Sequence, residues 1–482
     1  MTLTTHIRRP TAGSPTIRVF GPLWVLAVLA FPIQGLGQES GGEAPQEAPA
    51  YSMLRAEESY TYLREGSPYA SDPFDPIKFI RLNHDGSLFL TVGGEVRLRL
   101  EFFDNADWES GRDELYSQRL SVHTALNAGQ RVRFFGEVYH GLLSKSEPEF
   151  AEDDDLALHQ GFLELRLLDD IRHQVNLRVG RQELAYGSAR LIGIREGPNI
   201  RRSFDAARVL YTGGQLQMEG FFGSEVVTSP GTFDNSRNRD MAVWGLFSRF
   251  SIPGIVGSTE AYYFGVDVDQ ARFDDGIAAE RRHSVGIRRF GSLGSAFRYN
   301  TEVIFQFGTF GDQNIRAFAV ETDFHYLLNS LELRPVLGIR LDFVSGDRGA
   351  ADGTLNTFNA LFTNPAYFGL LSQLTPMNLF DIHPSLTLEL SERAEAIVDW
   401  DFFWRASKDD GLYSPPRFFA RAGDPMQGRF IGHQPGLEFV YRVSRHLTWS
   451  TEASYFVSGD YLMDSGDAEN IINLATTLSF KY

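Results

Sequence analysis

From Glu95 to Phe102 charged residues take every second position (Glu95, Arg97, Arg99, Glu101) and large apolar residues fill the positions between (Val96, Leu98, Leu100, Phe102). A period of two puts the two sets on opposite faces of a β-strand, one wetted and one apolar. The alternation returns at 299–307, where Tyr299, Thr301, Val303, Phe305 and Phe307 oppose Arg298, Asn300, Glu302 and Gln306, and again at 337–343, 437–443 and 474–482. Helical periodicity is nearly absent. Segments of this kind predict strands near 92–103, 115–127, 131–140, 157–167, 173–184, 202–211, 215–223, 240–250, 258–267, 282–290, 296–308, 315–326, 331–345, 380–390, 395–405, 436–443, 447–456 and 471–482, eighteen in all. Short turns such as Ala128-Gly129-Gln130 and Thr212-Gly213-Gly214 follow even strands. Long connections, including 141–156, 224–239, 346–379 and 406–435, follow odd ones, with 309–314 short against the rule.

A soluble two-sheet sandwich would also alternate, but it seldom needs eighteen strands in series. Two features favour a membrane barrel. Aromatics (Phe102, Phe103, Trp244, Tyr262, Tyr263, Trp400, Trp404, Trp449) bracket the apolar faces like an interfacial girdle. The last strand reads Ser479-Phe480-Lys481-Tyr482, which resembles the assembly signal of bacterial outer-membrane proteins. The expected fold class is therefore all-β: a single transmembrane antiparallel β-barrel of about 18 strands, with short periplasmic turns and long extracellular loops. Arg8, Arg9 and Arg18 before the apolar run Leu23–Phe31 have the layout of a secretory signal, removed near Gly37. That run has roughly half the 20 apolar residues a spanning helix needs. The expected division is a signal peptide at 1–37, a periplasmic spacer and lead-in at 38–90, and the barrel at 91–482. The lead-in is too short to make the plug domain of an energised transporter.

Composition refines this picture. Without cysteine there is no disulfide framework or thiolate chemistry, and a net charge of -17 argues against nucleic acid as partner. The charge is partitioned, however. Acids gather in expected outer loops (Asp104, Asp107, Glu109 and Asp113; Glu147, Glu149 and Glu152 to Asp155; Asp267, Asp269, Asp274 and Asp275; Asp460, Asp464, Asp467 and Glu469), while strand faces aimed at the lumen alternate arginine with acid. Of 45 Lys+Arg only Lys78, Lys145, Lys408 and Lys481 are lysine. A barrel of this size leaves an aqueous channel, so inward residues select what passes. Arg97, Arg99, Arg119, Arg131 and Arg133 cluster on the first three strands, and Arg340 points inward further on. Guanidinium forks match carboxylates and suit a track for polyanions; the alternative is cross-strand ion pairs that stiffen the wall. No zinc-binding His-Glu-x-x-His, nucleophile elbow or cofactor motif is present, so neither enzyme activity nor cofactor is expected.

The stretch from Gly180 is the most distinctive: Gly180-Arg181-Gln182-Glu183-Leu184, Tyr186-Gly187, Arg190 to Gly193, Asn199, Arg201 to Asp205 and Arg208. Together with Asp72 to Ile80, Gly93 to Arg97, Phe343 to Asp347, Thr357 to Phe362, Tyr367 to Gly369, Asn378-Leu379 and Asp410 to Tyr413, it resembles the alginate-export family of outer-membrane porins over roughly residues 57–482. The resemblance implies an eighteen-stranded barrel in the bacterial outer membrane, with an arginine-lined pore through which an anionic polysaccharide diffuses out. It matches Arg97 to the family's strand-one arginine, and Arg181, Arg201 and Arg202 to the basic residues of the hallmark segment. That segment could equally be a loop folded inward, with Arg195, Arg201 and Arg202 paired to Glu196 and Asp205. The expected partners are an anionic polysaccharide or other anionic solute, outer-membrane lipids and periplasmic export machinery, for a chain read as a monomer. An anion-uptake porin and an adhesin or anchor are the competing functions.

Overall fold

Alternating apolar and polar side chains suit a sheet with one face in lipid, and eighteen such strands each pair antiparallel with their sequence neighbours. They are β1 (Leu88–Asp104), β2 (Arg112–Ala128), β3 (Val132–Leu143), β4 (Asp154–Asp169), β5 (His173–Gln182), β6 (Phe204–Gly213), β7 (Leu216–Val227), β8 (Met241–Phe250), β9 (Ser258–Phe273), β10 (Gly276–Leu293), β11 (Phe297–Phe310), β12 (Gln313–Leu327), β13 (Val336–Val344), β14 (Leu379–Ser391), β15 (Ala394–Arg405), β16 (Phe430–Arg442), β17 (Leu447–Ser458) and β18 (Ile471–Lys481). β18 returns to pair with β1, from Glu95↔Lys481 to Asp104↔Ile472, so the sheet closes and has no edge. Closure satisfies the ladder's backbone groups internally, which the hydrocarbon requires. The computed structural model describes residues 48–67, 69–144, 152–349, 352–364 and 371–482. The expected signal peptide at 1–37 and the loop acids Glu147 and Glu149 lie outside the described residues.

Strand parity sorts the side chains as the periodicity predicts. Leu100, Phe134 and Phe305 are more than half exposed on the outer wall, whereas Arg119, Phe135 and Glu302 of neighbouring strands are buried inside. Trp244, Trp400 and Trp449 face outward with their indole N–H groups donating to Tyr263 (3.3 Å), His433 (3.1 Å) and Thr476 (2.8 Å), as an interfacial belt requires. Phe103 and Tyr262 are the corrections to the expected girdle. Phe103 has inward parity and packs against the interior cluster, and buried Tyr262 donates to Glu302 at 2.6 Å. Each adjoins a second aromatic of the opposite parity, so residue type alone could not separate them.

One outer hairpin runs further than the sequence suggests. β9 and β10 continue to the turn Asp274-Asp275, placing Asp267 and Asp269 on a strand rather than in a loop. Above the membrane both sheet faces meet water, so alternation disappears while backbone pairing goes on. Asp267 there pairs with Arg281 across the ladder.

From residue 48 on, the described part of the lead-in packs against the barrel. Residues 48–67 and 69–79 form a strap across the periplasmic mouth. Arg55 donates to the Tyr482 carbonyl at 2.9 Å, Arg133 to the Ala56 carbonyl at 2.6 Å and Arg201 to the Met53 carbonyl at 2.9 Å, while Arg178 meets Glu57 at 2.7 Å. Ala56 packs with Ala125, Phe135 and Phe162 of the wall. Lys78, next to the wall, donates to the Val92 carbonyl at 3.1 Å, and burial and nearby Arg55 push its ammonium down to about 7.

Candidate functional site

The β5–β6 loop, residues 183–203, crosses the lumen. Its apolar residues Leu184, Tyr186, Leu191, Ile192 and Ile194 are buried, a composition that belongs in a core and explains why the loop folds in. One end is clamped to the wall of β1 and β2. Arg97 donates to the Glu196 carbonyl (2.9 Å) and Asn199 Oδ1 (3.1 Å), and Arg119 to the carbonyls of Asn199 (2.7 Å) and Pro198 (2.6 Å) and to the Glu196 carboxylate (3.1 Å). Arg201 also pairs with Glu196. Burial alone would raise the Glu196 carboxyl, but Arg119 and Arg201 hold it far below the usual carboxylate range. At the other end Arg190 reaches the opposite wall and meets Glu302 (3.3 Å), Asp323 (3.2 Å), Asp342 (3.5 Å) and Glu321. Gly187, at φ +61, turns the chain beside Glu260 and Glu302, where a Cβ would lie 3.2 Å from a Glu260 oxygen.

A second inward loop, between β13 and β14, packs on the first. Gly193 N–H donates to the Phe362 carbonyl (2.9 Å) and Phe362 N–H to the Leu191 carbonyl (2.7 Å). A third, between β15 and β16, is knotted to it: Asp410 accepts from Thr357 (2.6 Å) and Tyr413 (2.8 Å), and Asn378 Nδ2 donates to the carbonyls of Ser407, Asp410 and Gly411. The segments singled out from sequence around 345–347, 357–362, 378 and 410–413 are thus the residues that lock the loops together.

Arg97, Arg119, Arg201 and Arg202 are buried, each held by a loop or strand partner, Arg202 by Glu225 at 2.8 Å. Arg99 meets Glu101 (2.8 Å) and Glu452 (3.6 Å), Arg340 meets Asp323 (2.7 Å), and both keep part of their surface open to the lumen. Arg133 lines the periplasmic mouth, and Arg131 is exposed on its rim. Arg181 is a correction. It shares outward parity with the lipid-facing Val179 and pairs with outward Asp205 at 2.8 Å, so it does not line the pore. The Gly-Arg-Gln-Glu run of residues 180–183 gives no parity of its own, because its buried members Gln182 and Glu183 are adjacent. Arg181→Ala should leave ion selectivity unchanged; a shifted reversal potential in planar bilayers would contradict this placement. The inward-loop alternative also needs amending: Asp205 takes Arg181 rather than Arg201 or Arg202, and Arg195 bonds the Ile200 carbonyl (2.9 Å) of its own loop.

Sequence reading intermixed the two signs of charge, and the fold gathers the acids unevenly around the wall. Glu302, Glu321, Asp323, Asp342, Asp381, Asp399 and Asp401 form an acidic wall on β11 to β15, across the lumen from the arginines of β1 to β3. A cavity of about 730 Å³ opens at the periplasmic mouth, lined by Arg55, Arg64, Arg131, Arg133, Arg166 and Arg178 with Glu57, Glu58, Glu65, Glu164 and Asp169. A second, of about 610 Å³, lies on the outer side against β8 to β10 and shares no lining residue with the first.

The model of the family described as alginate export matches residues 89–471, most of the chain and nearly all of the barrel. The chain belongs to the alginate export family. As a member with a closed eighteen-stranded barrel it is an outer-membrane channel. Among curated proteins none matches. Solved structures of similar fold include three Pseudomonas aeruginosa proteins. OccK2 (OpdF), in complex with glucuronate, has 11% identity and a TM-score of 0.55 over 81% of this chain and 97% of that one. OccK8 (OprE) has 11% identity and a TM-score of 0.55 over 82% and 98%. OpdO has 12% identity and a TM-score of 0.55 over 82% and 97%. For this family member the likeness lies in the fold.

Proposed function

We propose that this channel lets an anionic polysaccharide, an alginate-like polyuronate, leave the periplasm by passive diffusion, with Arg131 and Arg133 at its entrance and Arg99 and Arg340 along its course. The observation that supports this reading most is the periplasm-facing cavity with its six arginines. Forked guanidiniums in partly dehydrated surroundings are suited to repeated carboxylates, each of which a polymer can exchange for the next. The five acids of the same cavity moderate the field, so that binding is weak enough for release, as conduction requires. Glucuronate in OccK2 (OpdF) is a single uronate in a barrel of like fold; here the reading rests on the arginines themselves.

Reversal potentials in planar bilayers under a salt gradient test it. The wild type should prefer anions and be blocked by polyuronate oligomers added on the periplasmic side. Arg131→Glu with Arg133→Glu should reduce the anion preference and weaken the block about tenfold or more, since two reversals change the local charge by four. A cation-selective pore indifferent to polyuronate would sink the proposal, and anion preference without block would favour an uptake porin for small anions.

A further inference from the structure

The acidic wall contains one group of side chains that the channel function does not use. Asp381 and His383 stand two residues apart on the lumen face of β14. Asp401 lies beside them on β15, in the register bracketed by Ile382↔Phe402 and Ser385↔Asp399. One ligand atom from each of the three lies within 4.8 Å of the others. Asp381 and Asp401 are 0% exposed, and none of their four carboxylate oxygens has a hydrogen-bonding partner. His383 Nδ1 sits 2.6 Å from Asp401 Oδ1, yet the alignment leaves both atoms without a hydrogen bond. Its other nitrogen, Nε2, lies 3.3 Å from Asp399 Oδ2.

Charge makes the gap sharper. Asp342 is paired directly across the ladder from Asp381 and adds a further buried carboxylate. The nearby guanidiniums are committed elsewhere: Arg340 to Asp323 at 2.7 Å, and Arg190 to Glu302, Glu321, Asp323 and Asp342. Buried carboxylates are paired or coordinate metals, because an isolated one is too costly to leave in a dry wall. A single imidazole is little compensation for so many.

We propose that Asp381, His383 and Asp401 bind one divalent transition-metal ion of the zinc type in the channel wall. One nitrogen and two carboxylate oxygens are a donor set that zinc accepts, at about 2.0–2.2 Å each. The imidazole disfavours magnesium and calcium, which take oxygen ligands. Asp399 accepts the proton of Nε2, which fixes the tautomer that leaves Nδ1 free to ligate and makes Asp399 a positioning residue. His383, the least buried of the three, marks the side from which the ion arrives, and there the coordination sphere stays open to the lumen. Two positive charges at this point offset those of the two ligating carboxylates and make this part of the acidic wall less repellent to anions.

The test uses the full chain, purified in detergent, stripped with EDTA and titrated with Zn²⁺ alone. One ion per chain should bind, binding should be lost in His383→Gln and Asp381→Asn, and Asp399→Asn should weaken it about 10- to 100-fold. Zn²⁺ should also shift the reversal potential of the wild type toward anions while leaving that of His383→Gln unmoved. Should a variant fail to fold, Co²⁺ added to the wild type decides: visible bands of mixed nitrogen and oxygen ligation, removed by Zn²⁺, are expected. Absence of stoichiometric Zn²⁺ binding and of those bands in the wild type, or undiminished binding in folded His383→Gln, would overturn the proposal.

Discussion

Deleting residues 48–60 should raise single-channel conductance severalfold and increase anion preference. The strap contributes no strand to the barrel ladder, so its removal leaves the wall intact. It also takes away the Met53 and Ala56 carbonyls and the Glu57 carboxylate, which now occupy Arg201, Arg133 and Arg178. Guanidiniums freed of those partners face water in the mouth, and the field there becomes more positive. Planar-bilayer recordings check both effects, and the slower gel migration of the heated barrel checks its integrity. Unchanged conductance from an intact barrel would mean that the inward loops alone set the resistance.

Arg190→Gln carries the second large effect. The guanidinium is fully buried and faces four carboxylates, so its removal leaves Glu302, Glu321 and Asp342 buried against one another. Breaking a buried pair by removing one partner costs about 3–5 kcal/mol, because an uncompensated charge stays behind. The expected results are a lower unfolding temperature and easier proteolysis within 183–203, since the loop loses its anchor on the acidic wall while Arg97 and Arg119 still hold the other end. Arg190→Lys restores the charge but not the fork, and should recover only part of the loss. An unfolding curve unchanged by Arg190→Gln would refute the clamp.

Most of the wall was legible from periodicity because lipid on one side and water on the other write themselves into every second residue. All eighteen strands lie where that signal placed them, and the inward parity of Arg97, Arg119 and Arg340 follows from it. Where the two faces meet the same medium the signal fades, as in the upper part of β9 and β10. Parity is also lost where an aromatic follows an aromatic, at Phe102-Phe103 and Tyr262-Tyr263, and at the strand end that carries Arg181. The interior was harder to read for a different reason. Which arginine meets which carboxylate depends on contacts between residues a hundred or more apart, such as Arg97 with Asn199 or Arg190 with Asp323. A local pattern of charges cannot report those pairs, nor that the acids gather on one wall. The hallmark segment did point to the right place, but as the fold of a loop more than as a row of ligands.

The seam between β1 and β18 bears on the order in which the molecule is put together. Arg55 of the strap donates to the Tyr482 carbonyl, which also accepts from the Gly94 amide across the closing ladder, and Tyr51 meets His446, whose ring contacts the Lys481 carbonyl. Those acceptors are brought together only when the final strand has zipped onto the first. Ala56 and Glu57 have their partners on β2 to β5 and do not need the last strand, whereas Arg55 finds its acceptor only at the seam, so closure of the cylinder completes the seat of the strap.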